Sequence, residues 1–363
     1  MAKFHKLKVS DVRKETDDCV SIAFDIPSSL KSEYTYVQGQ YITFKLDVGG
    51  EIRRSYSICS SPVADTELRV AVKKTSDGRG SKWLNENVKN GDELEVMTPM
   101  GNFHSPINSA HTKHYILFAG GSGITPMLSI IKTVLAKEPN SKITLLYGNR
   151  DEKSTIFKTE LENHVGSSAN KLNVIHILEN PSQGVDELYK GRLDKEKVKA
   201  LVAKHIILNG DNEFFVCGPT PMMDNVKAVL SDLKVDSKKV HIEYFTASLE
   251  APKQTGNAGE DITSQITVTI DGVETSFELN TNGDSILDGA INAGADAPYA
   301  CKGAVCCTCK AKIIEGKVKM DMNYALTDDE VEDGYINLPI TSFNSCCGGG
   351  LRPSLNAFSE KYF

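Results

Sequence analysis

The 363-residue sequence has no apolar run approaching the ~20 residues that a membrane span requires. Its opening, MAKFHKLKVS, is not followed by an apolar core with a cleavage site, so neither secretion nor insertion is expected and the default compartment is the cytoplasm. No internal repeat occurs, which argues against solenoids and propellers. A basic excess is missing too: the formal net charge is -7, and neither a nucleic acid nor a membrane is expected as a partner. The acidity is uneven, with 13 Asp/Glu against 5 Lys/Arg over 264–336. That stretch is either a solvated acidic surface or a docking face for a basic partner. Cysteines are scarce, nine in all, yet four of them fall inside YACKGAVCCTCK, Tyr299–Lys310. In a reducing compartment such clustering points to metal binding or redox chemistry rather than disulfides.

What is present divides into segments. With 40% hydrophobic and 25% charged residues, the chain is globular and long enough for two or three domains. From Phe4 to Phe103, short apolar segments such as VSIAFDI, YITFKLDV and LRVAVKKT alternate with Gly, Pro and Asp turns, which predicts a small antiparallel barrel. From His114 the pattern becomes strand, glycine turn and helix in YILFAGGSGITPMLSIIKTVL, with further strands at KITLLYGN, KLNVIHIL and NEFFVCGP. This alternation predicts a parallel sheet with ligands at the carboxyl ends of its strands. The polar stretch from Ala247 reads as a linker. Beyond it, QITVTIDGVETSFELN is a hairpin around Asp-Gly, and SILDGAINAGA is a short helix leading to the cysteines.

Three constellations carry chemistry. Arg54, Ser55, Tyr56 and Ser57 lie on one extended segment, and R-x-Y-S supplies a cation, a flat side chain and a small donor, which suits a flavin. Val72 and Lys73, then Gly78, Gly80 and Ser81 at an expected helix start, add a phosphate site, because free amide groups and the helix dipole favour an anion. The second constellation is AGGSGITPM, with Gly121, Ser122, Gly123, Thr125 and Pro126 between a strand and a helix. It is not the usual G-x-G-x-x-G fingerprint, but Cys217 and Gly218 in FVCGP end a later strand at the same edge, where a nicotinamide would lie. Cys217 read from its spacing alone is an ordinary buried thiol. Glu243 in HIEYFT could assist proton traffic at a flavin or merely cap a strand. The third is Cys301, Cys306 and Cys309, spaced C-x4-C-x2-C as at the opening of a plant-type [2Fe-2S] site; Cys307 does not fit that spacing.

The order R-x-Y-S, G-x-x-S, GGSGITP, CGP, C-x4-C-x2-C resembles the ferredoxin-NADP reductase family fused to a plant-type ferredoxin. More narrowly, RRSYSICSS, LYGNR and SILDGAINAGADAPYACKGAVCCTCKAKIIEGKV resemble the reductases of phenylacetyl-CoA epoxidase systems. The resemblance implies a multidomain chain: an antiparallel β-barrel FAD domain at 1–107 and an α/β NAD(P)H domain at 108–246, then a linker at 247–263 and a β-grasp ferredoxin at 264–336. It implies FAD on Arg54, Tyr56 and Ser57, with Gly80 and Ser81 at the pyrophosphate, and a nicotinamide framed by Gly121, Gly123, Thr125, Cys217 and Gly218. Ser57, Cys217 and Glu243 become the catalytic candidates, and Cys301, Cys306 and Cys309 the iron ligands. The implied activity converts a hydride from NADPH or NADH into single electrons for an oxygenase component. Arg150, Lys153 and Ser154 could hold a 2'-phosphate, which favours NADPH although Asp151 and Glu152 would oppose it, so NADPH is the expected nucleotide. A ring-hydroxylating oxygenase or a desaturase is the alternative acceptor, and a flavin-only reductase or a partner-binding component is the alternative function.

A cluster of this type needs a fourth thiolate, which the resemblance places at position 339, where this chain has Pro339. From Asn337 the sequence resembles neither the family's last strand nor an ordinary one, so 337–363 reads as an aberrant tail. Asn-Leu-Pro-Ile can be written AAC TTG CCA ATC, which from its second nucleotide reads Thr-Cys-Gln; a frameshift is the expectation. Otherwise Cys346 or Cys347 would have to serve.

Overall fold

The computed structural model describes residues 3–245, 263–280, 283–316, 318–320, 322–338, 341–342 and 354–357. Phe4–Glu243 forms one compact unit and the segment from Tyr244 onward a second. The stretches expected at 1–107 and 108–246 therefore share a unit, and the linker expected at 247–263 lies, but for Thr263, outside the described residues. Among the described residues no helix is long and apolar enough to cross a membrane.

The first unit begins with β1 (Phe4–Thr16), β2 (Cys19–Asp25), β3 (Tyr41–Asp47), β4 (Glu51–Ser57), β5 (Leu68–Lys73), α1 (Arg79–Asn87) and β6 (Glu93–Met97). The six strands pair antiparallel in the order β4-β3-β6-β1-β2-β5. Ile58, just past β4, bridges Val70 on β5 and closes the sheet on itself. Alternate residues point inward because strand side chains repeat every second position: Ile42, Phe44 and Leu46 meet Ile22, Phe24, Val70, Val72, Leu94 and Val96 in one core. Leu84 of α1, fully buried, packs into the same core. Each such side chain contributes roughly 1.5–3 kcal/mol through burial.

The unit continues with β7 (His114–Gly120), α2 (Ile124–Lys137), β8 (Lys142–Asn149), α3 (Lys158–Ser167), β9 (Leu172–Leu178), α4 (Lys195–His205), β10 (Asn212–Cys217), α5 (Thr220–Asp232) and β11 (Val240–Glu243). The strands form a parallel sheet in the order β11-β10-β7-β8-β9. β7 is almost continuously apolar and buried, as a strand covered on both faces must be. The order reverses between β7 and β10, which opens a crevice at their carboxyl ends.

One buried carboxylate ties the connector after β6 to this sheet. Glu138, at the end of α2 and wholly buried, accepts hydrogen bonds from the Asn108 amide (3.0 Å), Ser141 Oγ (2.7 Å) and Tyr115 Oη (3.0 Å), and His111 Nδ1 lies 2.8 Å away. Burial alone would raise its pKa, but these bonds hold the carboxyl below the ordinary value.

The second unit contains β12 (Thr263–Ile270), β13 (Val273–Asn280), α6 (Ile286–Asn292), β14 (Lys310–Glu315), β15 (Lys319–Met320), α7 (Asp328–Glu332), β16 (Tyr335–Asn337), β17 (Thr341–Ser342) and β18 (Ser354–Ala357). Asp271 (φ 50°) and Gly272 (φ 79°) turn the first hairpin, the left-handed pair that its twist demands. Ser285 caps α6 by accepting from the Asp288 amide. A Cβ on Gly289 would lie 2.7 Å from the Phe277 ring, so glycine lets α6 lie close on β13. The main sheet runs β13-β12-β18-β14-β16. The tail, expected to lack strand character, thus supplies a strand at the centre of the sheet, parallel to β12 and antiparallel to β14. Four residues, SLNA, are too few to show a period of two, and ladder bonds rather than patterning place them.

Glu138→Ala should cost about 3–5 kcal/mol, since it leaves several buried donors unpaired. In the native protein the contribution of Glu138 should be full above the ordinary carboxyl pKa and fade as pH falls through the lowered value. Thermal unfolding across that range checks both; a variant as stable as the parent would remove Glu138 from this role.

Candidate functional site

The carboxyl edge of the parallel sheet is built by glycines. A Cβ on Gly123 would sit 2.1 Å from the Cys217 carbonyl oxygen, and one on Gly218 would sit 2.9 Å from the Gly120 nitrogen. The ends of β7 and β10 therefore meet backbone on backbone. Gly121 takes φ 52°, and its carbonyl accepts from Tyr147 Oη at 3.0 Å. Thr125, buried with Pro126 in the first turn of α2, donates from Oγ1 to the Ser122 carbonyl (3.0 Å), fixing the turn. Cys217 is fully buried, and burial, then the neighbouring Glu243, pushes its thiol pKa well up, so it stays neutral. It pairs with Ala119 on one side and Glu243 on the other.

The barrel presents β4 to the same edge. Ser57, the last residue of β4, donates from Oγ to Glu243 Oε2 at 2.9 Å, bringing together two catalytic candidates separated by 186 residues. Arg54 and Tyr56 share one face of β4, with Tyr56 packed on Phe44 at 5.4 Å between ring centroids. Burial raises the Tyr56 hydroxyl, keeping it protonated. Ser55 is not part of this face: the strand period turns it away, where its hydroxyl pairs with Thr43 Oγ1 at 2.9 Å. A Cβ on Gly80 would lie 3.3 Å from Arg54 Cγ and 3.1 Å from Ile52 Cδ1, so the first turn of α1 abuts the Arg54 stem. Gly78 caps α1 without a side-chain bond, leaving the helix's first amides for an external acceptor. Ser81 Oγ accepts from the Thr75 amide at 3.2 Å, and Asn85 Nδ2 binds the Val72 carbonyl at 3.0 Å. A cation beside free helix amides, a flat protonated phenol and a glycine cradle fit a flavin dinucleotide.

The 2'-phosphate candidates are only partly brought together. Ser154 is buried, and its hydroxyl is held in a turn with the backbone of Asp151 (3.1 and 3.2 Å), so it does not face a ligand. Asp151 Oδ1 accepts from the Ser154 amide (2.8 Å), and Glu152 accepts from Ser182 Oγ (2.6 Å). Arg150 is 62% exposed and lies 3.4 Å from Asp18, a residue with no sequence signal beyond its place in a turn.

In the second unit, Cys301 Sγ and Cys306 Sγ are 3.0 Å apart. Positive φ at Lys302 (51°) and Ala304 (53°) curls the loop so that the Gly303 amide faces Cys301 Sγ at 3.4 Å. The hydrogen bond between Cys301 and Cys306 holds the Cys306 thiol below its ordinary value and raises Cys301, while burial raises Cys309. Cys307 Sγ donates to the Ala325 carbonyl at 3.2 Å. Among the described residues no three His, Cys, Asp or Glu surround a point that could hold one ion. A two-iron cluster asks for no such triad, because its four thiolates divide between the irons. Cys301, Cys306 and Cys309 are the residues that would hold such a cluster, and the first two thiols already lie side by side. The Leu338 amide donates to the Cys309 carbonyl at 3.3 Å, so the chain passes the third cysteine one residue before Pro339. Pro339, Cys346 and Cys347 lie outside the described residues.

Comparison with known proteins agrees with this division. Residues 6–105 match the oxidoreductase FAD-binding domain, 117–228 the oxidoreductase NAD-binding domain, and 268–348 the 2Fe-2S iron-sulfur cluster binding domain. The chain is 41% identical to one of the polypeptides of the 1,2-phenylacetyl-CoA epoxidase of Escherichia coli K12, over 94% of this chain and 97% of that one. It is 34% identical to the ferredoxin reductase component of the 3-ketosteroid-9-alpha-monooxygenase of Rhodococcus rhodochrous, over 91% and 92% of the two chains. Among solved structures, phthalate dioxygenase reductase matches at 26% identity and TM-score 0.59, covering 97% of this chain and 98% of that one.

Cys306→Ser should reduce bound iron at least tenfold, whereas Cys307→Ser should leave iron per chain unchanged. Iron and acid-labile sulfide assays on anaerobically purified protein check this, and equal loss in both variants would refute the ligand assignment.

Proposed function

Because the chain belongs to the family of oxygenase reductase components built from FAD-binding, NAD-binding and [2Fe-2S] domains, we propose that it serves a phenylacetyl-CoA epoxidase in the cytoplasm, taking its hydride from NADPH or NADH. The observation that carries the choice of acceptor is the 41% identity to the E. coli epoxidase polypeptide, over 94% of this chain.

When bound, FAD and the [2Fe-2S] cluster supply the conversion of a two-electron hydride into single electrons. The chain's own residues bind, orient and manage protons. Arg54 and the first turn of α1 hold negative charge at one end of the flavin site, and Tyr56 offers a flat neutral wall. The glycine turn and the neutral Cys217 leave a close, uncharged seat for a nicotinamide at the sheet edge. Ser57 stands beside that seat with the Glu243 carboxylate 2.9 Å behind it. A proton that arrives at or leaves Ser57 Oγ therefore has an acceptor already in place.

A second reading, a reductase whose electrons stop at the flavin, is favoured by one observation: of the four thiols that the described residues bring to the cluster loop, only Cys301, Cys306 and Cys309 have the ligand spacing, and position 339 is a proline. The frameshift explanation bears on this choice, and codons other than AAC TTG CCA at Asn337–Pro339 would rule it out.

Ser57→Ala should slow flavin reduction by NADPH or NADH about tenfold to a hundredfold with little change in KM, as followed by anaerobic stopped-flow bleaching of the flavin. A change confined to KM would place Ser57 in binding instead. With the oxygenase components of the E. coli epoxidase, nucleotide oxidation should become dependent on phenylacetyl-CoA; coupling to a 3-ketosteroid oxygenase but not to the epoxidase would overturn the proposed acceptor.

A further inference from the structure

Asp18 belongs to the turn between β1 and β2, far in sequence from every motif of the nucleotide site, yet its carboxylate stands at that site's rim. Thr16 Oγ1 donates to Asp18 Oδ1 at 2.8 Å, and the Lys74 amide donates to the Asp18 carbonyl at 2.6 Å. These two bonds fix the carboxylate. Its other oxygen, Oδ2, lies 3.4 Å from Arg150 Nη2 and 3.9 Å from Lys73 Nζ. The two cations approach from opposite sides: Lys73 ends β5 of the barrel, and Arg150 directly follows the last residue of β8. Lys73 also points to the glycine turn, for a Cβ on Gly121 would lie 3.6 Å from its Nζ.

The end of the strand next to the glycine turn is where folds of this kind meet the adenosine ribose, with an acid for a 2'-hydroxyl and an arginine for a 2'-phosphate. Arg150 occupies that position, but Asp18 engages it from the barrel. The other nearby carboxylates are turned elsewhere: Asp17 to Lys14 (2.8 Å), Asp151 to the Ser154 amide, and Glu152 to Ser182. Asp18 is 27% exposed, so water screens its charge only in part. A 2'-phosphate would have to displace this carboxylate from Arg150 and then sit beside it. A 2'-hydroxyl, carrying no charge, would meet neither obstacle.

We propose that Asp18 is a specificity-determining residue for the pyridine nucleotide, disfavouring NADPH relative to NADH by neutralising Arg150. The proposal rests on the reading of the parallel sheet's carboxyl edge as the NAD(P)H site.

The test is calorimetric binding of adenosine 2',5'-bisphosphate and of 5'-AMP to the FAD-loaded full chain, which reads the adenosine end without turnover. Asp18→Asn should tighten adenosine 2',5'-bisphosphate about tenfold and leave 5'-AMP within about twofold. The charge-retaining Asp18→Glu should stay near the parent. Arg150→Ala should have little effect in the parent but abolish the gain in the Asp18→Asn background, a non-additivity that general loosening of the hairpin would not produce. The ratio of kcat/KM for NADPH over NADH should move with the bisphosphate. Equal tightening of both probes, an unchanged ratio in Asp18→Asn, or a full effect of Arg150→Ala in the parent would each overturn the role of Asp18. Binding of neither probe to the parent, together with no bleaching of the flavin by either nucleotide, would instead overturn the nucleotide site itself and the proposal with it.

Discussion

Two strand ends that meet with no room for a side chain organise the reductase unit. The close approach of Gly123 to the Cys217 carbonyl, and of Gly218 to Gly120, sets the crevice between β7 and β10. The candidate residues Ser57, Cys217 and Glu243 are placed relative to that crevice. The barrel is held to the helix that leaves the turn: Ser129 Oγ on α2 donates to the Ser60 carbonyl at 2.6 Å, and Ser61 Oγ lies 2.8 Å from Thr133 Oγ1. With residues 60 and 61 pinned there, β4 ends over the sheet's carboxyl edge, and Ser57 reaches Glu243. Hydride transfer depends on near-contact geometry, and a junction of buried short bonds is a physical means of keeping it.

Much of this was legible in the sequence because its causes are local. Strand alternation marks the barrel and the glycine turn marks the sheet edge, while the C-x4-C-x2-C spacing marks the domain that matches the 2Fe-2S binding family. What escaped depends on tertiary contact. Ser55 sits within a motif, but the strand period sends it to the other face. Ser154 carries the right hydroxyl for a phosphate, yet local turn bonding with Asp151 engages it. Asp18 and Glu138 are single carboxylates in polar surroundings, and only the fold reveals that one faces Arg150 and the other gathers several buried donors. The central position of Ser354–Ala357 was illegible for another reason: a four-residue strand carries too little pattern.

Among its described residues the ferredoxin unit carries three thiols with the C-x4-C-x2-C spacing, and Pro339, Cys346 and Cys347 lie outside them. Its curled loop directs the Gly303 amide at Cys301 Sγ, the kind of hydrogen bond to sulfur by which iron–sulfur sites tune their potential. The match to the 2Fe-2S binding domain continues to residue 348, past Pro339 and across Cys346 and Cys347. The acidity of 264–336 suits an electron donor that meets a basic acceptor surface, and such charge complementarity governs encounter rate more than affinity.

One chain takes electrons in pairs and releases them singly, and those electrons can be counted. An anaerobic reductive titration with dithionite, followed through the visible spectrum, should consume about three electrons per flavin, two for FAD and one for the cluster. Full reduction at about two electrons per flavin, with no further bleaching, would contradict the account and leave a flavoprotein without a working cluster.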